Sequence, residues 1–188
     1  MSAATLQPPR KRFTRGEVEQ MLDAGLFAGQ RFELIDGDLI DKMGQNPPHS
    51  YALSLLLACL VKIFGVERVR MQQPSEAAPA ERERSLPEPD LAVLAELKDD
   101  YRHRHPRGDE LLLAVEVADT TVRYDATAKR DLYARAGVPE YWVLDLPGRR
   151  LIVHRGVKHG QFEQIDSIPE NASVSAGGIE IPVSELLP

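Results

Sequence analysis

The stretch Leu111–Leu146, LLLAVEVADTTVRYDATAKRDLYARAGVPEYWVLDL, decides how the rest of the chain is read. Leu111 to Val117 and Glu140 to Leu146 are apolar runs of strand length. Between them lies a segment of helical character, from about Tyr124 to Ala136, with Gly137 just past its end. A helix joining two strands is a crossover, and it makes those strands run parallel in one sheet. Glu116 stands inside the first strand. A buried, unpaired carboxylate is driven either to find a partner or to neutralise. Glu116 therefore needs a partner from elsewhere in the chain.

Upstream of this stretch, Pro89-Asp90-Leu91-Ala92-Val93-Leu94 reads as a buried strand entered through proline, and Val66, Val69 and Met71 as another ending before Pro74. Ser75 to Pro87, between them, is polar, rich in Glu and Arg, and expected to be flexible. Tyr51 to Phe64, introduced by Pro47, Pro48 and His49 and followed by Gly65, predicts a largely buried helix. Nearer the start, Thr14-Arg15-Gly16-Glu17 fits a capping box, and Asp36-Gly37 joins Arg31–Ile35 to Asp38–Met43 as a type I′ hairpin. Residues 1 to 12 lack periodicity and are expected to form a flexible arm. Downstream, Pro147-Gly148 and His159-Gly160 punctuate apolar runs as in an antiparallel meander, and Gly177-Gly178 marks a bend before a closing turn.

The middle of the chain is thus helix, three strands, helix, strand: an αβββαβ order with a mixed sheet flanked by helices. An N-terminal helix and hairpin precede it and C-terminal antiparallel strands follow. At 188 residues the chain fits one domain, expected over residues 13–188. With 43% hydrophobic and 28% charged residues it has a globular composition. No apolar run is read as long enough for a bilayer, and the single Cys59 is expected to be a buried thiol. A cytoplasmic protein without a membrane is the expectation. A net charge of −6 disfavours non-specific coating of nucleic acid. Two basic clusters remain, Arg10, Lys11, Arg12 and Arg15, and Arg102, His103, Arg104, His105 and Arg107. Either can meet phosphate, although solvated tails and loops commonly look the same.

Asp90 and Glu116 belong to apolar strands of the same sheet, and adjacent strands bring them close. Two neighbouring carboxylates ionise together only where a cation bridges them. Oxygen-only ligands suit a hard ion, Mg²⁺ or Mn²⁺, which polarises a phosphoryl group and activates water for in-line attack. Lys129, in the following helix, can reach back over the strand end to stabilise the oxyanion or orient that water. A partly buried Glu116–Lys129 ion pair satisfies the same spacing and is the commoner arrangement, so the residues alone leave both open. Asp145 reads as a turn residue before Pro147, and Tyr141 and Trp142 as neighbours pointing to opposite sheet faces. His103 and His105 lack partners at zinc spacing. No phosphate-binding glycine loop and no GxSxG elbow is present.

Pro89-Asp90 followed by Glu116 in LLLAVEVAD resembles the PD-(D/E)XK nuclease superfamily, whose core has this αβββαβ order. FELIDGDLI, His49, PEPDLAVL, EVADTT, Tyr124-Asp125, Lys129, Tyr133 and AGVPEYWVLDL, taken in order, resemble its Uma-two branch, of restriction endonuclease type, from Phe13 to about Ile168. The resemblance implies a restriction endonuclease-like fold. Where the superfamily pattern carries a lysine two residues after the glutamate, this chain has Ala118. The branch supplies that lysine from the helix, which gives Lys129 the role by resemblance. It also implies Glu33 as a third metal ligand beside Asp90 and Glu116, with His49 and Tyr133 lining the site. The function so implied is a Mg²⁺- or Mn²⁺-dependent endonuclease that hydrolyses phosphodiester bonds in DNA with a metal-activated water. Asp90, Glu116 and Lys129 would be catalytic, and the terminal meander Arg150–Ile168 would provide a homodimer surface. The alternative is a catalytically silent, nuclease-fold binding or regulatory protein, suggested by Ala118 and the acidic charge.

Overall fold

The computed structural model describes residues 10–42 and 46–188. Of the expected flexible arm, residues 1–9 lie outside the described residues, as does Met43 of the expected hairpin. Arg12 donates to Asp38 at 2.6 Å, and the Phe13 amide donates to the Gly37 carbonyl at 2.8 Å.

Helix α1 (Arg15–Asp23) starts where the capping box places it, with Thr14 accepting from the Glu17 amide and Glu17 accepting from the Thr14 amide. Strands β1 (Phe32–Ile35) and β2 (Asp38–Asp41) form the hairpin. Asp36 and Gly37 take φ of 49° and 79°, the two left-handed residues that a type I′ turn demands. Helix α2 (Pro47–Phe64) begins one turn earlier than the apolar run suggests, because Asn46 caps it and Pro47 suits its first position.

Strands β3 (Val69–Met71), β4 (Leu91–Leu94), β5 (Leu111–Ala118), β6 (Glu140–Asp145), β7 (Arg150–Lys158) and β8 (Gln161–Pro169) lie side by side in that order. Only β5 and β6 are parallel, as their helical crossover requires; every other neighbouring pair is antiparallel. The crossover is a short α3 (Val122–Tyr124), a π-helical turn (Asp125–Lys129) and α4 (Arg130–Ala136), which ends at Gly137 in the left-handed conformation. The Gly177-Gly178 bend is a further two-residue hairpin, joining β9 (Ser173–Ala176) to β10 (Ile179–Pro182).

Helices cover both sheet faces. On one face Val93, Val115, Val117, Trp142, Leu144 and Val153 pack under α2 and the β9–β10 hairpin. On the other, Ala92, Ala114, Ala118, Tyr141 and Val143 pack with Tyr133 of α4. Trp142 and Tyr141 do point to opposite faces, and both are wholly buried, so neither serves an interface.

Three expectations change. Helix α2 is not largely buried: Ala52, Leu53, Leu56 and Leu60 face the core, while Tyr51 is 57% exposed. Its 18 residues and mean hydropathy of 1.3 reach the lower bound of a bilayer span, against the reading that no run does. It lies against the sheet as a core helix does. Ser75–Pro87 is not free: Ser75, Ala77, Ser85 and Pro87 are buried, and the Leu86 amide donates to the Leu34 carbonyl of β1 at 2.7 Å. The second basic cluster is partly spent internally. Arg104 binds both oxygens of buried Glu110 at 2.6 and 2.8 Å, and Lys98 adds a third contact at 2.9 Å.

The one-sided burial of α2 is testable by urea unfolding. Leu56→Ala, at a site with no exposure, is expected to cost roughly 3 kcal/mol. Tyr51→Ala is expected to cost less than about 1 kcal/mol. Equal losses would mean that the outer face is covered.

Candidate active site

The site lies where the ends of β4 and β5 meet the N-terminus of α2, the π-helical turn and the β1–β2 hairpin. Register explains why Asp90 and Glu116 meet. Leu91 pairs with Val115 across the antiparallel β4–β5 ladder, so one step further Asp90 stands opposite Glu116. Directly opposed residues project from the same face of a sheet. Asp90 is anchored by the Val117 amide, which donates to its Oδ2 at 2.9 Å. Ala114 and Ala118 flank Glu116 on that face, and their small side chains leave room for groups from the π-helical turn and α4.

Those groups are Lys129 and Tyr133. Lys129 Nζ lies 2.9 Å from Glu116 Oε1, and the Tyr133 hydroxyl donates to the same oxygen at 3.0 Å. No hydrogen bond reaches Glu116 Oε2 among the described residues. Lys129 also lies 2.6 Å from Glu33 Oε1 and 3.8 Å from Asp125 Oδ1, with its side chain only 4% exposed. The ion pair anticipated between Glu116 and Lys129 therefore exists, and the Asp125–Lys129 contact is buried rather than exposed. A π-helical turn is uncommon and frequent at functional sites. Here it presents Asp125 and Lys129 inward, and the Tyr141 hydroxyl donates to the Asp125 carbonyl at 3.0 Å.

Glu33 is no surface charge. It is buried on β1, with one oxygen on Lys129 and the other accepting from the Glu88 amide at 3.1 Å. Among the described residues no three His, Cys, Asp or Glu side chains are arranged to hold a metal. Of the expected ligands Glu33, Asp90 and Glu116, Glu33 is turned to Lys129, while Asp90 and Glu116 stand opposite each other at the strand ends. His49 does reach the site: its Nε2 is 3.4 Å from Asp90 Oδ2, while its buried Nδ1 has no hydrogen-bond partner. Asp145 is a turn residue as read, accepting from the Gly148 amide and from Arg150.

A cavity of about 380 Å³ opens over these groups. It is lined by six carboxylates, Glu33, Asp41, Asp90, Glu116, Asp119 and Asp125, against three cationic side chains, Arg31, Lys42 and Lys129. That imbalance shapes the ionisation. Burial would raise the Asp90 carboxyl, but the contact with His49, the Lys42 charge and the Val117 amide overcome it and hold it at about 2. Burial pushes Glu116 well above the ordinary carboxylate range, opposed by Lys129 and reinforced by Asp90. Burial works against the Lys129 ammonium, yet Glu116, Glu33 and Asp125 outweigh it and keep the group charged. Tyr124, on the cavity wall, is raised to about 12 by burial and by Glu33, and so remains a donor.

Lys42, Asp119, Asn46, Gln72 and Tyr124 join this cavity without having been singled out as site residues from the sequence alone. Asn46 before Pro47 is a legible helix cap. Lys42 carried no signal, because its place depends on how the hairpin folds across the sheet end.

The buried charges make the pH response of one variant predictable. Lys129→Met leaves Glu33, Glu116 and Asp125 without their shared cation and is expected to cost roughly 3–5 kcal/mol. Glu116 has a raised pKa in the folded state, so its contribution is favourable below the ordinary value of 4.5 and is lost as pH rises through the folded value. Removing Lys129 raises it further, so the deficit measured by urea unfolding should be larger at pH 8 than at pH 5. A deficit independent of pH would contradict the ion-pair geometry.

Comparison with known proteins bears on what such a site is for. The family model of Uma2, described as "Putative restriction endonuclease", matches residues 16–184. A solved structure described as "a putative nuclease belonging to DUF820 from Anabaena variabilis ATCC 29413" superposes with a TM-score of 0.68. It is 13% identical, and the match covers 93% of this chain and 97% of that one, so the likeness is one of fold. No curated protein matches. With nearly its whole length matched, the chain belongs to the Uma2 family of restriction endonuclease-like proteins.

Proposed function

We propose that the chain is a divalent-metal-dependent endonuclease that hydrolyses phosphodiester bonds in DNA. The observation that carries this reading is the pairing of Asp90 with Glu116 across β4 and β5, facing one cavity with a surplus of carboxylates. A polyanionic substrate enters such a cavity favourably only if a cation offsets that surplus. The donor set fits Mg²⁺ or Mn²⁺. It offers hard oxygens, and Mg²⁺ commonly takes one or two carboxylates and fills its remaining positions with water and substrate phosphate. Asp90 and Glu116 would hold the ion, which supplies Lewis acidity toward a phosphoryl oxygen and a nucleophile at neutral pH.

The protein's own groups prepare this arrangement. His49, Lys42 and the Val117 amide keep Asp90 ionised. Tyr133 and Lys129 fix one oxygen of Glu116 and leave the other without a hydrogen bond. Glu33 holds Lys129 from the opposite side, so it positions the lysine rather than completing a cage. Tyr124 and Thr120 line the same wall and supply neutral donors to a nucleotide, while the Thr121 hydroxyl donates to Asp125 at 2.5 Å.

The second reading, a nuclease fold that binds without turnover, draws on Ala118, which is buried where the superfamily pattern has lysine. Cleavage and calorimetry separate the two. At low salt with Mg²⁺ or Mn²⁺, wild type should cut DNA, and Asp90→Asn and Glu116→Gln should each lower the rate by about 100-fold or more. Mn²⁺ binding that both substitutions abolish, with every nucleic acid left intact, would favour the silent reading. Neither binding nor cleavage by wild type would contradict both.

A further inference from the structure

We propose that Lys42, rather than Lys129, is the cation that meets the phosphodiester; this rests on the nuclease reading above. The argument begins with the donors each ammonium has left. Lys129 Nζ carries three hydrogens and has three carboxylates around it, at 2.6, 2.9 and 3.8 Å, and its side chain is 4% exposed. Two of its hydrogens are spent on Glu33 and Glu116, and Asp125 faces it from beyond hydrogen-bonding distance. At that burial, a phosphate taking over either of those two bonds would leave a carboxylate buried without its cation.

Lys42 is placed differently. It follows β2 directly, lines the cavity wall, and its side chain is 14% exposed. Among the described residues it makes one hydrogen bond, to the Glu88 carbonyl. Its other neighbours, Glu88 Oε1 at 3.7 Å and Asp90 Oδ1 at 3.9 Å, are beyond hydrogen-bonding distance. Among the described residues two ammonium hydrogens therefore lack close acceptors, beside the carboxylate that would carry the metal.

Arg31, the third cation of the cavity, is already engaged by Glu88 and by Gln72 at 3.0 Å. Among the described residues Lys42 is the one of the three with a contact to Asp90 within 4 Å, and it lines the cavity wall with donors to spare. Its role is to bind a non-bridging oxygen of the scissile phosphate and stabilise the charge that develops there during attack. Lys129 acts through Glu116, as a positioning residue.

The assignment is tested with full-length protein, a short fluorescent DNA oligonucleotide and Ca²⁺ or Mn²⁺, by anisotropy over a range of salt concentrations. Lys42→Gln is expected to bind about 10-fold more weakly than wild type. Its log–log salt slope should be shallower by about 0.7–0.9, the signature of one lost phosphate contact. Lys42→Arg should restore both. Mn²⁺ affinity measured by calorimetry should stay the same or tighten in Lys42→Gln, because a cation 3.9 Å from Asp90 has gone. Its thermal unfolding should remain close to wild type, unlike that of Lys129→Met. Wild-type oligonucleotide affinity and salt slope in Lys42→Gln would overturn the assignment while leaving the nuclease reading intact. Wild-type protein that binds no nucleic acid would overturn that reading, and this assignment with it.

Discussion

Glu116 is a carboxylate held inside a β-sheet by one lysine and one tyrosine, and much of the architecture around it is arranged to keep that arrangement tolerable. The strand that carries it has alanines on either side on the same face, which make space for Lys129 and Tyr133. The helix that brings them is opened by a π-helical turn, and the Tyr141 hydroxyl hydrogen-bonds the Asp125 carbonyl there. The β1–β2 hairpin supplies Glu33 as a second anchor for the lysine. Loosening any of these supports exposes a buried charge to poor solvation, so they depend on one another.

Buried ion pairs of this kind seldom add stability over an apolar core, and their presence asks for another reason. The reason offered is chemical. Asp90 is kept ionised while Glu116 is pushed upward, and the two stand opposite each other on adjacent strands. Neighbouring carboxylates driven apart in this way form a poor structural pair, and the proposed function gives them a divalent cation to hold. The two lysines divide the remaining work. Lys129 lies among three buried carboxylates and hydrogen-bonds Glu116, and Lys42 lines the cavity beside Asp90.

Much of this was legible in the sequence because the signals were local. The capping box at Thr14, the Asp36-Gly37 turn and the crossover between Leu111 and Leu146 each depend on a few neighbouring residues, and each forms as read. Asp90 and Glu116 stood out because charge inside an apolar strand is conspicuous at the level of single residues. Features set by long-range packing were not legible. The Ser75–Pro87 segment looks like a polar loop, yet it is drawn in by a backbone bond to β1. Helix α2 is apolar on nearly all sides, so its sequence does not say which side is covered. Glu33 turns to Lys129 instead of completing a metal cage, and Lys42 enters the site, because of how the hairpin crosses the sheet end. The Glu110 knot took up Arg104, one of the basic residues considered for phosphate binding.

A crystal of the protein soaked in Mn²⁺ tests the central claim most directly, since Mn²⁺ is identified by its anomalous scattering. The account predicts one ion bound by carboxylate oxygens of both Asp90 and Glu116 at about 2.1 Å, with Lys129 still paired to Glu116 and Glu33. A cavity without Mn²⁺ at saturating concentration, or an ion that avoids either of those two carboxylates, would contradict it.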